Sequence, residues 1–279
     1  TCAMPKSSGP CGPARSPNRS MLWLTRIMTT DMLSMRVDAD QEEVAQVVAS
    51  YNLLAIPVVN EEHKLVGVIT VDDVIDVIKD EATEDINRLA GVAGDEHVFT
   101  PPGEALRKRL PWLAINLGTA VLAAGVVSLF QDTIKEVVAL AIFMPVVAGM
   151  GGNAATQTLT VTVRGIALGE LTWGNSRKAL IKEVLVGLGN GLILGFVAAG
   201  VAWAMAGDPV LGLILGLAMV LNMVVAATAG TLIPIVLRAL KVDPALASSV
   251  FITTLTDIFG FLVFLGLGAA FLDYLHKAV

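Results

Sequence analysis

The 279-residue chain has two cysteines, three histidines and only 5% aromatic residues. Both cysteines, Cys2 and Cys11, lie in a Pro/Ser-rich leader, which excludes a disulfide framework and a Cys-based zinc site. His63, His97 and His276 fall in loops or at the terminus, and no nucleophile–base pair is visible, so no enzyme is expected. Charge is scarce as well. Charged residues make up 16% of the chain, against about 25% in an ordinary soluble domain. The formal net charge of −6 excludes a nucleic-acid partner, which needs a basic face to neutralise phosphates. What is abundant is apolar: 54% of residues are hydrophobic and the mean hydropathy is +0.71.

The charge is unevenly placed. Residues 1–110 hold 11 Lys+Arg and 17 Asp+Glu, whereas residues 111–279 hold 8 of each. The chain therefore reads as an acidic soluble module followed by a neutral membrane module, with a boundary near Arg107-Lys108-Arg109. Residues 1–20 carry almost no apolar side chains and are expected to be disordered. They have no apolar central run and do not form a signal peptide.

In the soluble part, residues 21–90, Val44, Val47 and Val48 recur at helical spacing over Gln41 to Tyr51, with Asp40 as N-cap and Glu43 at the capping-box position. A short strand precedes this helix near Met35 to Val37. AIPVVN and LVGVITV, separated by the polar turn at residues 61–64, predict a hairpin. Asp72-Asp73 then open a second helix. Asp72, Asp76 and Asp80 stand at i, i+4 and i+8, so they share one face, within a run that continues through Glu81, Glu84 and Asp85. Like charges at that spacing repel. Two readings stand: a divalent cation relieves the repulsion, or water solvates an acidic face.

Five apolar runs follow, approximately Trp112–Phe130, Val137–Val163, Ile181–Ala206, Pro209–Leu237 and Ala245–Leu275, each close to the length that crosses a bilayer. Loop cations support an odd count, with the N-terminus cytoplasmic and the C-terminus outside: Arg107, Lys108, Arg109, Arg164, Arg177, Lys178, Lys182, Arg238 and Lys241 fall on one side, and only Lys135 and Lys277 on the other. Gly187, Gly191 and Gly195 recur at spacing four, which fits close helix packing. In the second run, Pro145 and the glycines at 149, 151 and 152 weaken the helix ahead of Asn153 and Gln157. This reads either as irregular backbone lining water or as a kinked helix with its amides bonding a neighbour.

Asp257 is the only acidic residue deep inside any of these runs, and no Lys or Arg lies at its depth. An intramembrane carboxylate is costly and marks function by default. Ser249, Thr253 and Asp257 share a helix face, a stripe of hydroxyls ending in a carboxylate that suits a hydrated cation. A protonated Asp257 bonding a neighbouring helix is the alternative.

Two stretches carry a resemblance to known families. IMTTDMLSM, the helix with AIPVV, and KLVGVITVDDVIDVI resemble a CBS module. In that family Gly67, Thr70 and Asp73 match a nucleotide-contact pattern, which implies ATP; the same Thr and Asp also suit helix capping. KDEATEDINRLAG, LPWLAINLGT, PVVAGMGGNAATQT, VDPALASSV and TLTDIFG resemble the MgtE family of magnesium channels.

The resemblance implies a mainly α membrane protein: five transmembrane helices behind a small α/β CBS module and a connecting plug helix over 91–110, with the pore domain over 111–279. It implies a homodimer in the plasma membrane, moving Mg²⁺ into the cytoplasm through one axial pore. There Asp257 of both subunits grips hydrated Mg²⁺, Asn153 lines the path, Thr253 contributes its carbonyl and Ser249 stands nearby. It also implies regulatory Mg²⁺ bridging Asp72, Asp73 and Asp76, the plug carboxylates Asp95, Glu96 and Glu104, and Asp243 on the membrane side. Asp243 has a second reading as the cap before Pro244. Of the family's sensor pieces, the sequence shows one CBS module and no acidic superhelical domain. The competing functions are a divalent-cation carrier coupled to H⁺ or Na⁺, with Asp257 titrating, and a membrane-anchored nucleotide sensor.

Overall fold

In the computed structural model the described residues are 32–246 and 249–275, and the side chains of Leu246 and Ser249 fall outside that description. The leader, the first residues of the IMTTDMLSM stretch and His276 also lie outside the described residues. The chain divides into two compact units between Val74 and Ile75.

The first unit is a three-stranded sheet against one helix. Strand β1 (Met35–Arg36) runs parallel to β2 (Ala55–Val59), which pairs antiparallel with β3 (Leu65–Thr70) in the order β1-β2-β3. Helix α1 (Gln41–Tyr51) starts at Asp40, whose carboxylate accepts the Glu42 N–H at 3.1 Å, and stops at Asn52 in the left-handed region, φ 51°. The hairpin turn closes on Asn60, whose Oδ1 accepts from the backbone N–H of Glu62 and of Lys64. Val44, Ala45 and Val48 of α1 bury against Ile56 of β2 and Val74, forming the core that the helix–strand–strand–helix pattern anticipates.

The second helix, α2 (Val71–Leu89), carries the chain into the second unit. That unit is α-helical: α3 (Pro102–Ser128), the short α4 (Gln131–Glu136), α5 (Ala139–Ala167), α6 (Ser176–Ala206), α7 (Pro209–Ala239), a 3-10 turn at Pro244–Leu246, α8 (Ser249–Ala270) and the short α9 (Leu272–Leu275). Five of its helices, α3, α5, α6, α7 and most of α8, are long and apolar enough to cross a membrane. The protein is thus a multi-pass membrane protein, mainly α, preceded by a small α/β module.

Helix α7 is the most buried of the five spans. It packs against α5, α6 and α8, while α3 lies outside, against α8. The α6–α7 contact is a glycine seam. A Cβ on Gly187 would stand 2.7 Å from the Ala227 Cβ, one on Gly191 2.9 Å from the Val220 Cα, and one on Gly195 2.8 Å from the Gly216 carbonyl. In the bilayer, where water expulsion does not drive helices together, such close backbone approach supplies the dispersion contacts that hold them. Asp208 makes the tight hairpin into α7, accepting the Val210 N–H at 2.8 Å.

Three expectations change. No separate connecting helix occupies 91–110: residues 91–101 are turns and coil, and residues from Pro102 onward belong to α3. The helical period that begins at Val71 runs unbroken to Leu89, so the connecting helix is α2. Helix α5 also continues through Pro145 and the glycine cluster without a break, so of the two readings the irregular backbone falls and the helix packed against its neighbours stands. Two of its glycines serve close packing, Gly151 against Asn222 and Gly152 against Thr253, while a Cβ on Gly149 would meet open space. Finally, Asp257 is not the only acid well inside a span. Helix α6 begins at Ser176, so Glu183 lies two turns in, buried.

Candidate functional site

Asp257 sits on α8, half-buried, and no hydrogen bond or ion pair holds its carboxylate among the described residues. The hydroxyls around it are committed to their own helix. Thr254 donates to the Val250 carbonyl at 2.7 Å, Thr256 to the Thr253 carbonyl at 2.8 Å, and Thr253 to the Val250 carbonyl at 3.2 Å. Their oxygens remain acceptors, but their protons are used. Ser249 shares the face by position.

Helix α5 meets α8 here. A Cβ on Gly152 would stand 3.2 Å from the Thr253 Cγ2, so the two backbones are close at this level. Asn153, the next residue, projects from the exposed side of α5, as does Gln157 one turn on. The structure thus places Asn153 and Asp257 on two touching helices, with an uncompensated acid and an exposed amide outside the helix core. A carboxylate at the centre of a span costs on the order of 3 kcal/mol, which a positive charge beside it offsets.

Glu183 shows the contrasting arrangement. Lys182 donates to its Oε1 at 2.5 Å and the Thr158 hydroxyl to its Oε2 at 3.4 Å. A carboxylate so engaged is structural glue between α5 and α6. The sequence signal for it was a lone acid beside a lysine in an apolar run.

At the end of the unit near α2, the carboxylates are sorted differently from the expectation. Asp243 accepts the Ala245 N–H at 2.8 Å, so it caps the 3-10 turn, and it also forms an ion pair with Arg88 of α2. Arg88 reaches Glu84 as well. Asp95 bonds Lys108 at 3.0 Å, Glu104 bonds the same lysine at 2.8 Å, and Glu96 is bonded by Arg109 at 2.5 Å. Asp95, Glu96 and Glu104 therefore each face a base of α3 rather than Asp243. Glu96 is buried, and its Oε2 has no partner among the described residues.

Lys108 holds the Asp95 carboxyl below the usual carboxylate range by hydrogen bonding. Burial pushes that of Asp85 above it, with Glu81 adding to the shift and Arg88 opposing it. Arg88 is the residue that sequence reading missed; its only signal was a cation, one of two with Lys79, in an otherwise acidic helix.

On α2, Asp72, Asp73, Asp76 and Asp80 are all exposed. Among the described residues no three His, Cys, Asp or Glu side chains converge on a metal position. In the first unit the Thr70 hydroxyl donates to Asp73 at 2.9 Å, so these two side chains engage each other at the start of α2, while a Cβ on Gly67 would meet open space.

Residues 144–267 match the family model MgtE, divalent cation transporter, and residues 24–80 match the CBS domain model. The match to the MgtE model thus follows the match to the CBS model along the chain. The MgtE match runs from the residue before Pro145 to beyond Asp257, so it contains Asn153, Asp257 and most of the two touching helices of the site.

Three curated relatives are similar across nearly the whole chain. The magnesium transporter MgtE of Bacillus subtilis is 39% identical over 91% of this chain and 55% of its own length. That of Thermus thermophilus is 38% identical over 90% and 56%, and that of Enterococcus faecalis 39% over 89% and 54%. The chain thus spans about half the length of these relatives.

Proposed function

We propose that this protein moves Mg²⁺ into the cytoplasm through a pore built on α5 and α8, as a homodimer with one path on its two-fold axis. The observation that carries the reading is Asp257: an acid in the membrane-spanning part with no cation, donor or ion pair among the described residues. Mg²⁺ sheds its water reluctantly, so the pore would bind the hydrated ion through outer-shell hydrogen bonds. Two Asp257 carboxylates supply the charge. The exposed amide of Asn153 and the Thr253 carbonyl supply oriented dipoles, with Ser249 at the same face. The relatives named magnesium transporters support the choice of ion.

Internal Mg²⁺ would act on the acidic helix α2 and the segment around Asp243. A hydrated Mg²⁺ needs only one or two carboxylates, so exposed Asp72, Asp73 and Asp76, or Asp95 and Glu104, would each suffice as part of such a site. Neutralising their repulsion favours one packing of α2 and closes the path, a population shift by differential binding. Orientation follows the loop cations, with the N-terminus in the cytoplasm.

The test is Mg²⁺ flux in proteoliposomes. Asp257→Ala abolishes uptake and leaves assembly intact, and an imposed pH or Na⁺ gradient leaves wild-type flux unchanged. Uptake that follows the gradient would instead assign a coupled carrier.

A further inference from the structure

Asn222 of α7 is fully buried, 0% exposed, in the middle of the membrane-spanning unit. It lies between two apolar clusters, one holding Val147 and Ala218, the other Ala155 and Ala226. Its Nδ2 donates to the Val147 carbonyl of α5 at 3.0 Å, and because a carbonyl only accepts, the orientation of the amide is set by that bond. Two glycines make room for it. A Cβ on Gly151 of α5 would run into the amide, and one on Gly260 of α8 would stand 2.8 Å from Nδ2. One side chain of α7 is thus wedged between the backbones of α5 and α8.

Gly151 lies two residues before Asn153, and Gly260 three residues after Asp257. Packing alone does not call for an amide at this place. Oδ1 accepts no hydrogen bond among the described residues, and a buried acceptor without a partner is costly. A leucine of similar size would fill the space without that penalty. We propose that Asn222 is a positioning residue that sets the separation of α5 and α8, and through it the width of the cation path between Asn153 and Asp257. This rests on the pore reading above.

The experiment uses the full-length protein in proteoliposomes, with Mg²⁺ and Ca²⁺ flux per folded protein, and thermal melting in detergent as a second readout. Variants are Asn222→Leu, Asn222→Ala, Gly151→Ala and the last two combined. Asn222→Leu is expected to melt near the wild type yet shift Mg²⁺-over-Ca²⁺ discrimination about fivefold or more, a change that loss of folded protein does not produce. Gly151→Ala lowers Mg²⁺ flux about tenfold, and adding Asn222→Ala recovers about threefold or more of it, since contacting residues couple.

If Asn222→Leu does not fold, the cycle of Gly151→Ala and Asn222→Ala decides alone. Unchanged discrimination, or Gly151→Ala and Asn222→Ala effects that simply multiply, overturns the proposal. Flux that survives Asp257→Ala would instead defeat the pore reading itself, so the two failures are told apart.

Discussion

Arg88 on α2 is ion-paired with Asp243 on the turn that leads into α8, the helix of Asp257. The pair ties the acidic helix to the segment before α8, where Leu89 of α2 also packs against the cluster holding Ala245 and Ile252. Arg88 also holds Glu84, one turn earlier on α2.

On the proposed gating by internal Mg²⁺, breaking that tie is expected to change flux more than stability. Both side chains are about a third exposed, and such pairs are worth only about 0.2–1 kcal/mol. Arg88→Gln should therefore fold, with a small drop in melting temperature, while flux at high internal Mg²⁺ rises several-fold over wild type. Uptake into vesicles preloaded with graded Mg²⁺ checks this. A closing curve that superimposes on the wild type would disconnect the tie from gating.

The glycine seam between α6 and α7 predicts opposite outcomes for two glycines of the same helix. Gly191→Leu drives a side chain into the Val220 backbone, and overpacking costs about 1–3 kcal/mol. Gly200→Ala meets nothing within 4 Å and should stabilise the helix by up to about 1 kcal/mol. Thermal melting of the two variants in detergent measures both, and equal shifts would contradict the seam.

Asp85 and Asp95 predict pH effects of opposite sign. Burial raises the folded pKa of Asp85, so the folded state holds that proton more tightly than the unfolded chain. Its contribution favours folding as pH falls through the carboxylate range, and it opposes folding above that range. Lys108 lowers the folded pKa of Asp95, so its contribution is present above the unfolded value and is lost as pH falls through the folded one. Melting temperature against pH should therefore rise toward neutrality more steeply in Asp85→Asn than in wild type, and less steeply in Asp95→Asn. Parallel curves for the two variants would contradict the assignment.

Much of this was legible in the sequence, and the remainder was hidden for physical reasons. The five spans follow from apolar length, and the hairpin from AIPVV and LVGVITV around a polar turn. The resemblance put the connecting helix over 91–110, whereas the helical period from Val71 to Leu89 matches the observed α2. The glycines after Pro145 looked like a break, yet α5 is continuous, because their meaning lies in which neighbour they admit. Asn222 gave only a faint signal, one amide in an apolar run. Its partners Val147, Gly151 and Gly260 are brought to it by helix packing that no local pattern encodes.

The central claim, that the unpaired carboxylate of Asp257 carries the transported ion, is tested most directly by Mg²⁺ uptake into proteoliposomes holding equal amounts of folded wild-type and Asp257→Ala protein. The account predicts that wild-type vesicles take up Mg²⁺ and Asp257→Ala vesicles show no uptake above protein-free controls. Equal uptake by the two would contradict it.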